Sequence, residues 1–411
     1  MGIDRDDSFK KWRLKDLAEI RTGGTPRRDV REYWGGTIPW MSSGEVNARY
    51  IGAVKERITD AGFNASNAQR LSPGTTMMAL AGQGSTRGKV ALLKIETTCN
   101  QSLVGITPGE AIDEHFLFFQ LDSMYDEIRA INGDQVRAGL NLELVGNIEV
   151  KVPPLAEQKK IAQILSSVDE AIQATQAVID QTRRVKEAML QTLLTRGLGH
   201  TRFQQTEIGE IPEGWAIRRC EDLTHQISVG IVVRPTQYYV PHGVKCWRSA
   251  NIGEGFVRDS EWVYISEESN ELMRKSRLSA GDVVVVRTGF PGTACVVPPE
   301  LDNTNCIDIL FVKPKADTII PAFLAWFINS SVGKSQVLKM QGGLAQKHLN
   351  AGELHKMLVP LPPLREQTAI VEHIQELLAT VQNNAHTADA LQLVKSALLQ
   401  TLLSGQTRVT P

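Results

Sequence analysis

The chain of 411 residues has no run of about 18 apolar residues, so no segment has the composition of a membrane-spanning helix. Its opening, Met1–Gly2–Ile3–Asp4–Arg5–Asp6–Asp7, is too polar for a signal peptide, and a cytoplasmic location is expected. Cysteine is scarce: Cys99, Cys220, Cys246, Cys295 and Cys306 are odd in number and contain no Cys-x-x-Cys pair. That pattern argues against a disulfide framework or a zinc ribbon and favours reduced, buried thiols. An excess of positive charge is also missing, because 45 Lys and Arg face 46 Asp and Glu for a net charge of −1. No global cationic field draws in nucleic acid, and any such face must be a local concentration of basic groups. The remaining composition, 42% hydrophobic and 22% charged, is that of a globular chain with room for two to four domains.

Catalytic motifs are absent as well. Gly82–Gln83–Gly84–Ser85–Thr86–Arg87–Gly88–Lys89 approaches a phosphate loop, but its Gly-Lys comes one residue late and Val90 stands where Ser or Thr would hold magnesium. The same stretch fails as a dinucleotide fingerprint, since Arg87 occupies the third glycine position. Ser331–Val332–Gly333–Lys334–Ser335 fails because Ile328 replaces the leading glycine. Asp134 with Glu149–Val150–Lys151 could suggest a metal-dependent nuclease, yet Leu358, Val359 and Pro360 stand at the equivalent later positions. The eight histidines show no metal-ligand spacing, and no Gly-x-Ser-x-Gly elbow occurs. Neither Pro-Pro pair is followed by the aromatic residue of an amino-methyltransferase tetrapeptide. The expectation is a chain that is not an enzyme alone, with no catalytic, cofactor or metal residues of its own.

What the chain does have is itself, twice. Val152–Pro153–Pro154–Leu155–Ala156–Glu157–Gln158 returns 209 residues later as Leu361–Pro362–Pro363–Leu364–Arg365–Glu366–Gln367. Leu190–Gln191–Thr192–Leu193–Leu194 returns at the same offset as Leu399–Gln400–Thr401–Leu402–Leu403. Upstream the offset is 207: Trp40–Met41–Ser42–Ser43 matches Trp247–Arg248–Ser249–Ala250, Leu71–Ser72–Pro73–Gly74 matches Leu278–Ser279–Ala280–Gly281, and Cys99 matches Cys306. Phe116–Leu117 matches Phe323–Leu324, and each copy begins near a tryptophan, Trp12 and Trp215. A period this long means a duplicated domain rather than a solenoid, whose repeats run to roughly 20–50 residues.

Within each copy the signals are mixed, which points to an α/β (α+β) class. Residues 282–287 are β-branched and read as a buried strand, with 75–80 as the weaker counterpart; 90–95 and 307–312 read as further strands. Residues 114–131 and 322–340 read as helices with aromatics on one face. The glycines and prolines between them fit a twisted sheet with many loops.

The tails differ from the heads. Each proline pair breaks what precedes it and pre-sets a helix start, after which neither proline nor glycine interrupts 155–196 or 364–404. Ile161, Val168, Thr175, Thr182 and Met189 form one heptad column; Ile164, Ala171, Val178 and Val185 form a second; Leu165, Ile172, Ile179 and Leu193 form a third. Ile370, Leu377, Leu391 and Leu398 repeat the first, flanked by Ile374, Val381 and Leu402. This wide stripe suits two long helices in an antiparallel coiled coil. Such a helix would run about 50 Å at 1.5 Å per residue, against roughly 34 Å for one turn of B-DNA. Two similar heads on stiff helices could grip two separated segments of one duplex, although long amphipathic helices also simply dimerise.

Polar loops at the edges of the heads are the candidate binding sites. Arg27 and Arg28, with Arg21 and Arg31 nearby, concentrate guanidinium groups that fork onto phosphate or guanine. Gln83, Thr86, Arg87 and Lys89 cluster between two expected strands, and their counterparts are Arg287 and Thr288. Gln135, Arg137 and Asn141 precede the first proline break; Gln346, Lys347, His348 and Asn350 precede the second. Trp40, Ser42 and Ser43, with Trp247, Arg248 and Ser249, recur at equivalent positions, and Arg234 completes the set. Gln, Asn and Arg are the side chains that read adenine and guanine edges bidentately. Alone, an arginine in such a loop is more often just solvated, and Trp40 and Trp247 are more often core than base-stacking residues; the recurrence at equivalent loops is what favours recognition.

With those pieces in view, the chain resembles the specificity (S) subunit of type I restriction–modification systems. The likeness is carried by Gly23–Gly24–Thr25–Pro26, by Ile208–Gly209–Glu210–Ile211–Pro212–Glu213–Gly214–Trp215, by both Pro-Pro-Leu-x-Glu-Gln segments and by both Leu-Gln-Thr-Leu-Leu helix ends. The first head departs from the family's lead-in, having Phe9–Lys10–Lys11–Trp12 instead. The resemblance implies target-recognition domains over 1–153 and 199–361, spacer helices over 154–198 and 362–405, and a tail over 406–411. It implies double-stranded DNA read as a bipartite asymmetric target, and partners that are two adenine-methyltransferase (modification) subunits with restriction/translocase subunits. It further implies that S-adenosylmethionine, ATP and magnesium belong to those partner subunits. The rival readings are a coiled-coil structural adaptor that reads no DNA, and a nuclease.

Overall fold

The computed structural model describes residues 9–82, 85–131, 139–340 and 348–409. The chain divides into two compact units, one of Met1–Ala177 with His386–Pro411 and one of Val178–Ala385.

In unit 1 the central sheet has five strands in the order Ala18–Thr22, Leu103–Pro108, Thr76–Ala79, Val90–Leu93, Tyr50–Ile51. All neighbours are antiparallel except the last pair, which is parallel with Tyr50 opposite Leu92. Alternate residues of the inner strands enter different cores. Met78, Val90 and Leu92 pack with the helices, while Met77, Ala79, Ala91 and Leu93 pack on the other face with Met41, Cys99 and Leu103. Both faces are covered, which is why these strands read as unbroken apolar runs rather than alternating ones. A smaller sheet joins Glu56–Ile58, Trp34–Met41 and Thr98–Cys99, the last two running parallel.

Unit 2 repeats the plan. Its four-stranded sheet runs Thr224–Val229, Leu310–Pro314, Val283–Val285, Ala294–Val296. Val283 and Val285 face the helices, while Val284 and Val286 face the second core. Trp247 lies in a strand parallel to Asn305–Cys306, as Trp40 lies beside Thr98–Cys99, although the paired register differs by one residue. All five cysteines are free and buried. Burial pushes the thiols of Cys99, Cys220, Cys246 and Cys295 up to about 12, so they stay protonated and inert.

Several sequence expectations shift. Residues 114–131 form two helices, Glu114–Ser123 and Tyr125–Ala130, because Met124 leaves helical geometry at ψ 14°. Residues 322–340 likewise split into Pro321–Asn329 and Ser331–Met340 at Ser330, whose backbone is extended. The strand expected over 307–312 starts only at Leu310, since Asp308 turns the chain with φ 48°. Trp12 is not the counterpart of Trp215: it is 43% exposed, whereas Trp215 is buried. Phe9 fills that role, packing against Gly405 as Trp215 packs against Gly197.

The long helices are Leu155–Arg196 and Leu364–Leu403. In unit 1 Ile161, Ala162 and Leu165, near the start of the first, share a core with Leu402 and Leu403 at the end of the second. In unit 2 Leu193 and Leu194, at the end of the first, share a core with Ile370, Val371 and Ile374 near the start of the second. The pairing is therefore antiparallel in each unit. The apolar stripe is incompletely covered, with Val178, Val185 and Met189 exposed by 51%, 40% and 39%.

The repeated Glu-Gln explains itself here. Gln158 Oε1 accepts from the Asp113 N–H at 2.8 Å, and its Nε2 donates to Ala111 O at 3.2 Å and Pro153 O at 2.9 Å. Gln367 makes the same three bonds at the same lengths, to Ile320 N–H, Thr318 O and Pro362 O. Each glutamine thus locks a long helix to the aromatic helix of its own head. Each glutamate fastens the chain that follows the other long helix. Glu157 accepts from Arg408 at 2.7 Å and from the Val409 N–H at 3.3 Å. Glu366 accepts from the Leu198 N–H at 3.1 Å, His200 Nε2 at 2.7 Å and Trp215 Nε1 at 3.0 Å.

Candidate nucleic-acid interface

In unit 1 three loops distant in sequence are stitched into one rim. Gly24 N–H donates to Cys99 O at 2.9 Å, and Thr25 Oγ1 bonds Gln101 Oε1 at 2.6 Å. On the other side of that turn Leu80 N–H donates to Ser102 O at 2.9 Å, and Leu140 N–H donates to Leu80 O at 2.8 Å. The segments around residues 24, 101, 80 and 140 therefore lie in sequence along one edge. Glycine is required at its first joint, because a Cβ on Gly23 would sit 1.9 Å from Cys99 O.

Unit 2 builds the same rim with different side chains. Ile231 N–H donates to Cys306 O at 2.8 Å, and a Cβ on Gly230 would stand 2.4 Å from that oxygen. Arg287 Nη1 donates to Asp308 Oδ1 at 2.7 Å, and Leu349 N–H donates to Arg287 O at 3.0 Å. Thr288 Oγ1 and His348 Nδ1 are bonded at 2.8 Å. At the offset of 207, Asp308 stands where Gln101 stands in unit 1. Neither was singled out from the sequence, since both sit in short turns with no pattern. The available signal was their position just after the repeated cysteines.

The expected site residues divide into several groups. Arg27 is exposed and pairs with Asp29 at 2.6 Å, an arrangement that water largely screens. Arg28 forks onto Glu56 with two bonds of 2.8 Å and lies 3.8 Å over the Trp34 ring, so its guanidinium is held flat and oriented. Its hydrogen bonds hold the Glu56 carboxyl below its ordinary value. Thr86 is half-buried; beside it in the chain, Lys89 bonds Asn47 at 2.9 Å and Arg87 donates to Arg129 O at 3.0 Å. Arg234 is exposed in a left-handed turn, φ 44°, at the start of a short 3-10 helix.

Other candidates have structural duties. Trp40 and Trp247 are corrected to core positions, 1% and 0% exposed. Trp40 Nε1 donates to Gly24 O at 3.0 Å and Trp247 Nε1 to Thr304 Oγ1 at 3.1 Å, so neither offers a ring face for stacking. They hold the rim from beneath. Ser42 caps the 3-10 helix Ser43–Ala48, in which Ser43 is the first residue, with Glu45 completing a capping box. Arg248 begins the equivalent helix Ser249–Asn251, its N–H bonded to Asn251 Oδ1 at 2.9 Å and its side chain reaching Glu261 O. Asn141 and Asn350 each spend the side-chain oxygen on a helix N-cap, on Leu144 N–H at 2.8 Å and Glu353 N–H at 3.0 Å. Gln83, Gln135, Arg137, Gln346 and Lys347 lie outside the described residues.

Each unit thus presents a polar rim of loops, stiffened by backbone hydrogen bonds and set on a buried sheet, with its own selection of Arg, Thr, Gln and His. The two rims share one design and differ in chemistry. Among the described residues no group of three or more His, Cys, Asp or Glu is placed to hold a metal ion. The family model "Type I restriction modification DNA specificity domain" matches residues 6–182 and 300–393, more than half of the chain. The chain belongs to this family of non-catalytic specificity subunits.

The relatives agree. The MjaVIII specificity subunit of a type I restriction enzyme from Methanocaldococcus jannaschii is 24% identical over 99% of this chain and 95% of its own. The fold is shared with the type I restriction–modification S subunit from M. genitalium, with a TM-score of 0.58 at 14% identity over 98% of each chain. It is shared also with a chain from a structure addressing complex assembly and conformational transition of the type I R-M system. That likeness has a TM-score of 0.62 at 17% identity, over 98% of this chain and 99% of that one.

Proposed function

We propose that this chain reads a bipartite, asymmetric DNA target, one half-site per unit, and positions adenine-methyltransferase and restriction subunits on it. The observation that carries this reading is the repeated rim: one scaffold, used twice, with Thr25 and Gln101 in one copy and Arg287, Asp308 and His348 in the other. Phosphate contacts hold and orient a duplex while a few side chains specify bases. Arg27, Lys89 and Arg234 suit the first role; Arg28, Thr86, Arg87, Arg287, Thr288 and His348 suit the second. Reading a base requires several of these groups to trade their present partners for DNA.

In this reading residues 1–153 and 199–361 are the target-recognition domains, 154–198 and 362–405 the spacer helices, and 406–411 a tail. The partly uncovered stripe of Val178, Val185 and Met189 gives partner subunits an apolar surface to dock on. S-adenosylmethionine, ATP and magnesium are supplied by those partners. Among the described residues no helix is long and apolar enough to cross a membrane, and the proposed setting is cytoplasmic.

The test is methylation mapping with the chain assembled with modification subunits. The expected product is adenine methylation at one two-part motif. Inserting four residues between Gln173 and Val178 should change the tolerated gap, or abolish methylation, with the half-site bases unchanged. Methylation without sequence pattern would leave the adaptor reading in its place, and altered half-site bases after the insertion would contradict the spacer role.

A further inference from the structure

The loop between Val283–Val285 and Ala294–Val296 carries the most exposed large apolar side chain among the described residues, Phe290, at 83%. Nothing about the loop is slack. Val286 N–H donates to Thr293 O at 2.8 Å, and Gly292 N–H to Val286 O at 3.0 Å. Thr293 bonds Phe290 O through its N–H at 3.3 Å and its Oγ1 at 3.0 Å. Gly289 and Gly292, at φ 89° and 86°, make the turns that aim the tip outward, and Pro291 removes freedom between them. A phenyl ring gains by leaving water, yet this one is braced where it cannot fold back.

Its surroundings limit what it serves. The base of the loop is the rim of unit 2, with Arg287 on Asp308 and Thr288 on His348. The loop tip is a small apolar feature set among hydrogen-bonding groups, with Val232 and Val233 exposed by 47% and 71% beside the rim joint at Ile231, and is a poor match for a broad apolar protein surface. It matches the major groove, where the apolar feature on a base edge is the C5-methyl of thymine, set among donors and acceptors.

We propose that Phe290 is a specificity-determining residue, its ring packing against a thymine methyl in the half-site read by unit 2. This rests on the DNA-reading function proposed above. The test uses the full chain assembled with modification subunits and duplexes of the mapped target, with thymines replaced by uracil one at a time. Wild type should lose about fourfold in affinity at one thymine, the value of one buried methyl. Phe290→Ala should bind the thymine duplex about ten- to thirtyfold more weakly, lose nothing further with uracil, and methylate targets degenerate at that position. Phe290→Leu should restore most of the loss. Because the side chain stands in solvent, these variants fold as wild type does. An unchanged motif and affinity in Phe290→Ala, or a wild type indifferent to uracil at every thymine, would overturn the inference while the patterned wild-type methylation still stood. Unpatterned wild-type methylation would instead remove the reading beneath it.

Discussion

The two units hold their long helices by the same glutamine and by different chemistry around it. In unit 1 a charged network adds to the apolar junction of the helices. Asp169, 3% exposed, accepts from Lys395 at 2.6 Å, Tyr50 at 2.6 Å and Arg49 at 2.9 Å, and Arg49 also reaches Asp122 at 2.7 Å. The apolar contact between the helices is common to both units: Leu190, Leu193 and Leu194 against Ile370, Val371 and Ile374 in unit 2, and Leu399, Leu402 and Leu403 against Ile161, Ala162 and Leu165 in unit 1. At Asp169's offset position unit 2 has Leu378. The glutamines and the apolar contact serve the fold and are kept; the position held by Asp169 in one unit and Leu378 in the other has diverged. An apolar junction tolerates small shifts, whereas a buried ionic network fixes one register or fails.

The sharpest way to break the comparison is to remove one charge. Lys395→Ala leaves Asp169 buried with a donor missing, and unit 1 should lose roughly 3–5 kcal/mol in urea denaturation while unit 2 keeps its stability. A smaller effect tests the sameness. Gln158→Ala and Gln367→Ala should each cost about 1–3 kcal/mol, since each strands a buried N–H and two carbonyls. Clearly unequal losses, followed by hydrogen exchange within each head helix, would show the identical bond lengths to be energetically unequal.

The smallest effect concerns acid. Burial raises the Asp169 carboxyl, but the hydrogen bonds from Lys395 and Tyr50 and the charges of Arg49 and Lys395 outweigh it, and the net shift is downward. A folded-state pKa below the unfolded value gives stability that is present at neutral pH. That stability is lost as pH falls below the ordinary carboxylate range of about 4. The urea midpoints of wild type and Asp169→Asn should therefore differ at pH 7 and converge towards pH 3. A gap that stays constant would place the stabilisation elsewhere.

Much of the fold was legible because the chain states it twice. The constant offsets located both heads, and the proline pairs and heptads located both long helices. The valine run 283–286 was legible because both faces of that sheet are buried. Periodicity could not show the breaks at Met124 and Ser330, where single backbone torsions end a helix inside an apolar run. It could not separate Phe9 from Trp12 either, since aromatic content near a boundary does not say which ring turns inward. At the rims, the sequence marked the loops but not their stitching. Gln101 and Asp308 are placed by backbone bonds between segments up to about eighty residues apart, and Trp40 and Trp247 recur because they support those loops from below.

The membership of unit 1 has a consequence for how the protein is made. Unit 2 is one continuous stretch, Val178–Ala385, whereas unit 1 takes its closing pieces from His386–Pro411. Leu402 and Leu403 seal its core, Lys395 neutralises Asp169, and Arg408 meets Glu157. All four leave the ribosome more than two hundred residues after the rest of their unit. The half synthesised first is thus the half completed last. Until that second stretch emerges, unit 1 carries a buried-to-be aspartate and an open apolar seam that the helix Leu364–Leu403 closes.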